Sequence, residues 1–337
     1  MRATFTQDQR DIESTVRGLV ADEKTGARDA LTAPWGAPDC DAALLRDFGL
    51  LGVPEAAGGL GSSLIDLLVA VEALGESLVP SRFPAHAAAV QLLAGAGAEV
   101  PADILDGSRV LTPAVDAPGV TGWADRASDE RRTLVRYAEV ADGVVALGPA
   151  GVWLADPVQV VPRQSFDPSV PLADLTLAAP EGASAVGSGV RRATLVVAAE
   201  LAGLAQGAID LAAEYARTRH QFGRPIGSFQ AVAFQLAEAV AVRKAAWDLA
   251  LYAAWAVENG REDAPIQVHA AKAAAGKAAI FAAERCIQVH GGMGITMEAD
   301  PHLFLRRAFV LDAHAGRGSW HRREAGVLRV RAHRARG

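Results

Sequence analysis

Cysteines, aromatic residues and long apolar runs are all scarce in this sequence of 337 residues. The two cysteines, Cys40 and Cys286, are far apart, so they supply neither a disulfide framework nor a cysteine-based zinc site. The longest uncharged run, residues 83–98, contains a proline and a histidine and is too short to cross a bilayer. No apolar segment of the signal-peptide type opens the sequence. We therefore expect a cytoplasmic protein rather than a membrane or secreted one.

The composition supplies enough apolar material for a large core. Hydrophobic residues make up 50% of the sequence, charged residues 21% and aromatic residues only 6%. A core of Ala, Val and Leu is typical of close-packed helices, because Ala is the strongest helix former. The formal net charge of −6 argues against general binding of nucleic acid. The length fits one large domain or two to three small ones.

The chain divides into three zones with different sequence patterns. Residues 1–108 read as helical, and residues 109–188 lose the helical periodicity and contain short β-like runs among Pro, Gly and Asp. Residues 189–337 are helical again, with segments long enough to predict a bundle. The predicted strands are Thr133–Tyr137, Gly143–Leu147, Val152–Leu154, Val158–Val161 and Leu175–Leu177, and the long predicted helices are Ala193–Arg217, Phe229–Glu258, Pro265–Val289 and His302–Ala313.

Local signals predict several helix ends. Thr6 precedes a run with acids in its first turn and is a candidate N-cap. Ser62 or Ser63 is predicted to cap a helix that continues to Leu78. From Arg317 onward the sequence holds seven arginines and one glutamate, which favours a solvated or partner-facing helix end over a nucleic-acid site.

Residues 215–230 form the first segment of chemical interest. A long helix ends there in basic residues, turns at Gly223 and Pro225, and gives way to a second helix. An arginine at such a corner, Arg219, can contact a phosphate with both guanidinium edges, and Phe222 can cover an aromatic ring. On composition alone, an ordinary helical hairpin with solvated arginines is the better explanation.

Residues 288–296 form the second segment. Gly291 can simply end a helix, but three glycines within four positions also allow a close approach of the backbone to a ligand. The segment is neither a Walker A loop, since no Lys-Ser/Thr follows, nor a Rossmann fingerprint, since it follows a helix. The sequence also contains no Gly-x-Ser-x-Gly elbow and no His-Glu-x-x-His helix, and its eight histidines show no ligand spacing. We expect no metal site.

Taken together, these segments resemble the acyl-CoA dehydrogenase family. Residues 48–61 and 71–75 are similar to the family's N-terminal helical domain, residues 219–230 to its Arg-x-x-Phe-Gly…Gln motif, and residues 288–294 to its Gln-x-x-Gly-Gly-x-Gly motif. The resemblance covers nearly the whole chain. It implies a mainly α fold with an N-terminal helical domain (1–108), a small, reduced β domain (109–188) and a C-terminal four-helix bundle (189–337).

The resemblance also implies FAD chemistry on an acyl-CoA thioester. In the family a carboxylate removes the α-proton, and the flavin accepts a hydride from the β-carbon. The two motifs reach across a dimer interface to the neighbour's FAD, so Arg219 is expected at the pyrophosphate and Phe222 near the adenosine. The implied FAD-contacting residues are Arg219, Gln221, Phe222, Ile226, Phe229, Gln288, Gly291 and Gly292.

The family's catalytic glutamate has no counterpart in this sequence by ungapped comparison. Ala315 stands at its usual position and Ala193 at its second known position, and alanine cannot carry a proton. Asp312 and His314 are possible stand-ins. Glu200 lies almost two helical turns from Ala193, roughly 10 Å further on, which favours a structural or surface role.

The β zone departs from the family as well. Residues 111–114 stand where the family has Thr-Glu-Pro, and its Lys-x-Trp-Ile-Thr strand is missing. In the C-terminal zone, Arg307 replaces an aspartate of the family's Leu-Arg-Asp-Ala segment. The chain thus keeps the motifs that contact a neighbouring subunit's FAD and lacks much of the part that would hold its own FAD. It resembles the short subunits of actinobacterial α2β2 acyl-CoA dehydrogenases, which act on CoA thioesters of steroid side chains. We expect a homo- or heteromeric partner that supplies the glutamate; a non-catalytic scaffold and a self-sufficient flavoenzyme with a relocated base are the alternatives.

Overall fold

The N-terminal part of the chain is helical, and the computed structural model describes residues 4–116 and 130–335. Thr6 caps the first helix as predicted, since its hydroxyl accepts a hydrogen bond from the Gln9 amide at 3.2 Å and the Gln9 side chain accepts one from the Thr6 amide at 3.0 Å. Ser63 caps the third helix. The helices are α1 (Gln7–Ala21), α2 (Asp41–Phe48), α3 (Leu64–Gly75), α4 (Phe83–Gly95) and α5 (Ala102–Leu105).

The third helix ends earlier than the sequence predicts. Its last residue is Gly75, and the Ser77 hydroxyl donates a hydrogen bond to the Leu74 carbonyl at 2.8 Å. This side-chain bond satisfies a terminal carbonyl without another helical turn. Ser62, the other candidate cap, instead accepts a hydrogen bond from the Gly52 amide at 2.9 Å.

Two small sheets follow, with strand orders β1-β3-β4 and β2-β6-β5. The five predicted strands are all present, but β1 was not predicted. It pairs in parallel with β3, and Pro113 is tolerated because β1 lies at the sheet edge. The strands are β1 (Leu111–Ala114), β2 (Arg131–Arg136), β3 (Gly143–Gly148), β4 (Gly151–Ala155), β5 (Pro157–Arg163) and β6 (Leu172–Leu177).

Long helices form the C-terminal part around α6, which packs against α3, α4, α7, α8 and α9. By length and composition α6 is apolar enough to cross a membrane, but 83% of its apolar window is buried inside the protein, so it is a core helix. The fold is mainly α, as predicted, and a further helix packs on α8 after the bundle. The elements are α6 (Gly189–Thr218), β7 (His220–Gln221), β8 (Arg224–Pro225), α7 (Gln230–Glu258), α8 (Ala264–His290), α9 (Pro301–Ala313) and α10 (Gly318–Arg334).

Glycines allow α3 and α6 to approach very closely. A Cβ at Gly75 would lie 2.6 Å from the Glu200 carbonyl oxygen, and a Cβ at Gly203 would overlap the Glu72 carbonyl oxygen. We call this contact the glycine seam. It fixes the position of α6 against the N-terminal helices without any intervening side chain.

Candidate functional site

The two glycine-containing motifs lie at the same end of the bundle. The rings of Tyr215, near the end of α6, and His290, at the end of α8, stack with their centroids 4.1 Å apart. The His290 Nδ1 is in turn 2.8 Å from the Cys286 carbonyl oxygen. The structure therefore brings together residues 219–229 and 288–292, which we call the motif end.

The hairpin of β7 and β8 presents an aromatic side chain to solvent. Phe222, at a positive φ of 52°, is 91% exposed, and Gly223 completes the turn at a φ of 79°. Phe222 makes an edge contact with Phe229 at 6.1 Å between ring centroids. The Arg224 guanidinium covers the Phe229 ring at 4.0 Å. Around Phe222, Gln221 is exposed and Ile226 is half-buried.

Arg219 combines a fixed backbone with an unengaged side chain. Its amide donates to the Tyr215 carbonyl and its carbonyl accepts from the Ile226 amide, both at 2.8 Å. Its exposed guanidinium has no hydrogen bond or ion pair within residues 4–116 and 130–335. Arg217, two positions earlier, is by contrast paired with Glu214 at 2.8 Å. Arg219 is therefore held ready for an external anion.

The glycines of the second motif differ in what they do. Gly291 ends α8 at a φ of 60° and a ψ of −136°, a conformation that favours glycine. Gly294 is crowded, since a Cβ there would lie 2.6 Å from the Ile287 carbonyl oxygen. Gly292 is neither strained nor crowded, because no described atom lies within 4 Å of where its Cβ would be. Gln288 is exposed beside it. At Gly292 the described residues give no reason for glycine, and the exposed backbone is open to a ligand.

The structure also brings the two alanines at the expected glutamate positions together. Ala193 of α6 and Ala315 after α9 line one small cavity of about 10 Å³, enough for about one water molecule. Arg136 and His314 line it too. The described residues around this cavity include no carboxylate in contact with it.

Of the two possible stand-ins for the base, only His314 faces the cavity. Its Nδ1 lies 3.3 Å from the Asp116 carboxylate, and its buried Nε2 has no partner within the described ranges. Burial lowers the pKa of His314, and the neighbouring Arg136 charge lowers it further. The Asp312 carboxylate turns away, accepting from the Gly318 amide at 3.2 Å.

Two buried ion pairs, one of which reaches this cavity through Arg136, were missed by the sequence reasoning. Glu200 is inside the protein rather than at its surface, and its Oε2 lies 2.8 Å from the Arg136 Nη1. Arg307, the replacement for the family's aspartate, pairs with Asp167 and donates to the Ser169 hydroxyl at 2.6 Å. The sequence signal for Arg307 was its replacement of the family's aspartate, and no local pattern indicated the Arg136–Glu200 pair.

Comparison with known proteins identifies the family. Residues 181–325 match the acyl-CoA dehydrogenase C-terminal domain. IpdE2 of Mycobacterium tuberculosis, an acyl-CoA dehydrogenase, is 32% identical over 317 residues, which cover 90% of this chain and 92% of IpdE2. The chain belongs to the acyl-CoA dehydrogenase family. FadE34 of the same organism is 36% identical over 98% of this chain, but the chain spans only 50% of the length of FadE34.

Solved structures agree with this assignment. The ChsE4-ChsE5 complex from Mycobacterium tuberculosis matches with a TM-score of 0.81 and 26% identity, covering 97% of this chain and 98% of the other. A Tcur3481-Tcur3483 steroid acyl-CoA dehydrogenase matches with a TM-score of 0.79 and 25% identity, again over 97% and 98%. Butyryl-CoA dehydrogenase from Megasphaera elsdenii, 17% identical over 98% of this chain and 100% of that one, shares the fold with a TM-score of 0.80. The family and the fold inferred from the sequence are thus confirmed, and the roles of individual residues stay predictions.

Proposed function

We propose that this chain is a subunit of an FAD-dependent acyl-CoA dehydrogenase and completes an FAD site together with a partner subunit, which supplies the catalytic carboxylate. The observation that carries this proposal is the motif end. Within the described residues its Arg219 guanidinium is unpaired, its Phe222 ring is 91% exposed apart from an edge contact with Phe229, and its Gly292 is uncrowded. Two of the similar structures, the ChsE4-ChsE5 complex and Tcur3481-Tcur3483, each join two proteins, which supports a heteromeric arrangement.

The motif end fits the chemistry of FAD. The Arg219 guanidinium would hold the pyrophosphate, the Phe222 ring would lie near the adenosine, and the backbone at Gly291 and Gly292 would permit close contact. Gln221, Ile226, Phe229 and Gln288 would complete the contacts. When bound, FAD supplies the acceptor for the hydride of the acyl group. The chain's own contribution is to bind and orient.

The interior of the protein supports the proposal that the catalytic base comes from a partner subunit. Ala193 and Ala315 both line a cavity that holds about one water molecule, at about 10 Å³. Neither can remove a proton. The partner's carboxylate would therefore act on the thioester. The steroid dehydrogenase among the similar structures supports a bulky, steroid-derived CoA thioester as the substrate.

Co-expression with an acyl-CoA dehydrogenase partner that carries the glutamate tests the proposal. FAD per heterodimer is measured by absorbance in the wild type and in Arg219→Met. We expect the variant to bind FAD roughly tenfold to a hundredfold more weakly, since a charge-assisted hydrogen bond contributes about 1.5–3 kcal/mol.

Arg217→Met is the matched control, because the Arg217 charge is already paired with Glu214. It should leave FAD binding unchanged. Unchanged FAD binding in Arg219→Met would instead support a scaffold that has lost the flavin. A yellow, active enzyme from this chain alone would contradict the shared site.

A second candidate is a self-sufficient enzyme in which His314 acts as the base. One observation favours it, because His314 is oriented by Asp116 and its Nε2 is unpartnered within the described residues. The test is turnover by this chain alone, which must then disappear in His314→Ala. Full turnover in that variant would exclude the candidate.

A further inference from the structure

One side of α6 lines two separate cavities. Ala193 and Val197 line the cavity beside the alanine pair, and Glu200 and Leu204 line a second one. Spacings of four, three and four residues place all four on one helix face. Each cavity has a volume of about 10 Å³. The two spaces therefore follow each other along the same helix, over roughly 16 Å between the first and last residue.

The Arg136–Glu200 ion pair stands between the two cavities. Arg136 lines the first and its partner Glu200 lines the second, with 2% and 10% of their side chains exposed. Arg136 comes from the end of β2, where the Thr112 hydroxyl donates to its carbonyl at 2.6 Å. The pair thus joins β2 to α6, with one partner at each cavity.

A second fixed cation lines the far cavity. Arg307 lines it and is itself held by Asp167 and by the Ser169 hydroxyl. Buried charges with satisfied partners are costly to separate, because each would be left unpaired in a low-dielectric interior. A ligand would have to break such a pair to pass from one cavity to the other.

We propose that the Arg136–Glu200 pair is a plug that divides an interior channel into two water-sized remnants and so excludes an acyl chain from this subunit. This inference rests on the proposed function, in which the partner holds the substrate. It adds that each heterodimer binds one acyl chain, on the partner, and it names the residues that prevent a second.

The test removes both side chains of the plug, so that neither charge is left buried and unpaired. The double variant Arg136→Ala/Glu200→Ala removes both side chains, and Arg136→Leu/Glu200→Leu is the matched control that removes the charges but keeps the space filled. The probe is dodecanoate, titrated by calorimetry into the 337-residue chain. We expect the alanine pair to bind dodecanoate at least tenfold more tightly than the wild type and the leucine pair.

The result that overturns the plug is equal dodecanoate binding by the folded alanine and leucine pairs, or wild-type binding as tight as that of the alanine pair. Thermal unfolding monitored by circular dichroism establishes that each variant is folded. If the alanine pair does not fold, Arg136→Met/Glu200→Ala takes its place, since it keeps apolar volume on the strand side. Only the Glu200 side of the space is then open, so we expect dodecanoate binding tighter than in the leucine pair but weaker than the alanine pair would give, and binding equal to that of the leucine pair would overturn the plug.

FAD content separates this proposal from the proposed function. The plug lies away from the motif end, so the complex should keep its FAD in both double variants. A wild-type complex with normal FAD that binds two acyl-CoA molecules per heterodimer would refute the plug alone. A wild-type complex without FAD would refute the shared flavin site, while the dodecanoate titration would still decide the plug.

Discussion

The motif end and the plugged interior use the same residue types in opposite ways. Arg219 at the motif end is unpaired within the described chain, whereas Arg136 and Arg307 inside are each paired with a carboxylate. Gly292 has open space around it, whereas Gly75 faces a carbonyl oxygen at contact distance. Residues that are satisfied within the chain stabilise its fold, and residues left unsatisfied at its surface indicate what it binds.

The largest effect should come from breaking an interior ion pair. Asp167→Asn leaves the Arg307 charge buried, so we expect the free energy of unfolding to fall by about 3–5 kcal/mol. Asp174→Asn is the control, because its partner Arg163 is 48% exposed, and it should cost no more than about 1 kcal/mol. Urea unfolding followed by circular dichroism measures both. Equal losses would show that burial does not distinguish the pairs.

A smaller loss of stability should distinguish the crowded Gly75 from the uncrowded Gly292. Gly75→Ala forces a Cβ against the Glu200 carbonyl, so we expect a loss of about 1–3 kcal/mol in the free energy of unfolding. Gly292→Ala meets open space and should stay within about 0.5 kcal/mol of the wild type. The same urea titration measures both variants. A destabilised Gly292→Ala would mean that Gly292 serves the fold after all.

The stability of the protein should also depend on pH, because of the buried side chain of Lys272. Burial lowers the pKa of this side chain from its ordinary 10.5 to about 8, although its ammonium contacts the Asp312 and Gly316 carbonyls. Above pH 8 the unfolded chain holds a proton that the folded chain has released, so stability rises with pH. We expect a gain on the order of 1 kcal/mol from pH 8 to pH 9 relative to Lys272→Met. If the free energy of unfolding changed with pH in the same way for the wild type and Lys272→Met, the lowered pKa of Lys272 would be contradicted.

The smallest change in stability is expected at Phe222. Its ring is 91% exposed, so Phe222→Ala should alter the free energy of unfolding by less than about 0.5 kcal/mol while weakening FAD binding. Phe83→Ala, at a fully buried ring, is the contrasting variant and should cost about 3–5 kcal/mol. Thermal unfolding and FAD absorbance are read on the same samples. If Phe222→Ala lost stability but bound FAD as tightly as the wild type, the ring would serve to stabilise the β7–β8 hairpin rather than to bind FAD.

Local signals explain what was predictable in the fold. The capping pairs at Thr6 and Ser63 and the long periodic helices need only neighbouring residues, so the sequence was sufficient. The strand Leu111–Ala114 was missed because it contains a proline and depends on pairing with Gly143–Gly148. Such pairing is a property of the folded chain and not of either segment.

Non-local contacts explain what was missed in the site. The sequence motifs identified Arg219 and Gly292 because a motif is a local pattern. The plug could not be found in this way, since Arg136 and Glu200 are 64 residues apart in sequence. Arg307 was seen only as a departure from the family, and its partner Asp167 lies 140 residues away. Their meaning depends on burial, which the composition of either segment does not reveal.

The glycine seam has a consequence for how this protein can change over evolutionary time. Widening a channel along α6 would require α3 to move outward, and at the seam main chain meets main chain, so no side chain is available to be trimmed. Single substitutions that enlarge a residue there cost stability before they create any space. Substituting the two plug side chains can therefore open space between the cavities, whereas the spacing of α3 and α6 can change only if the main chain itself moves.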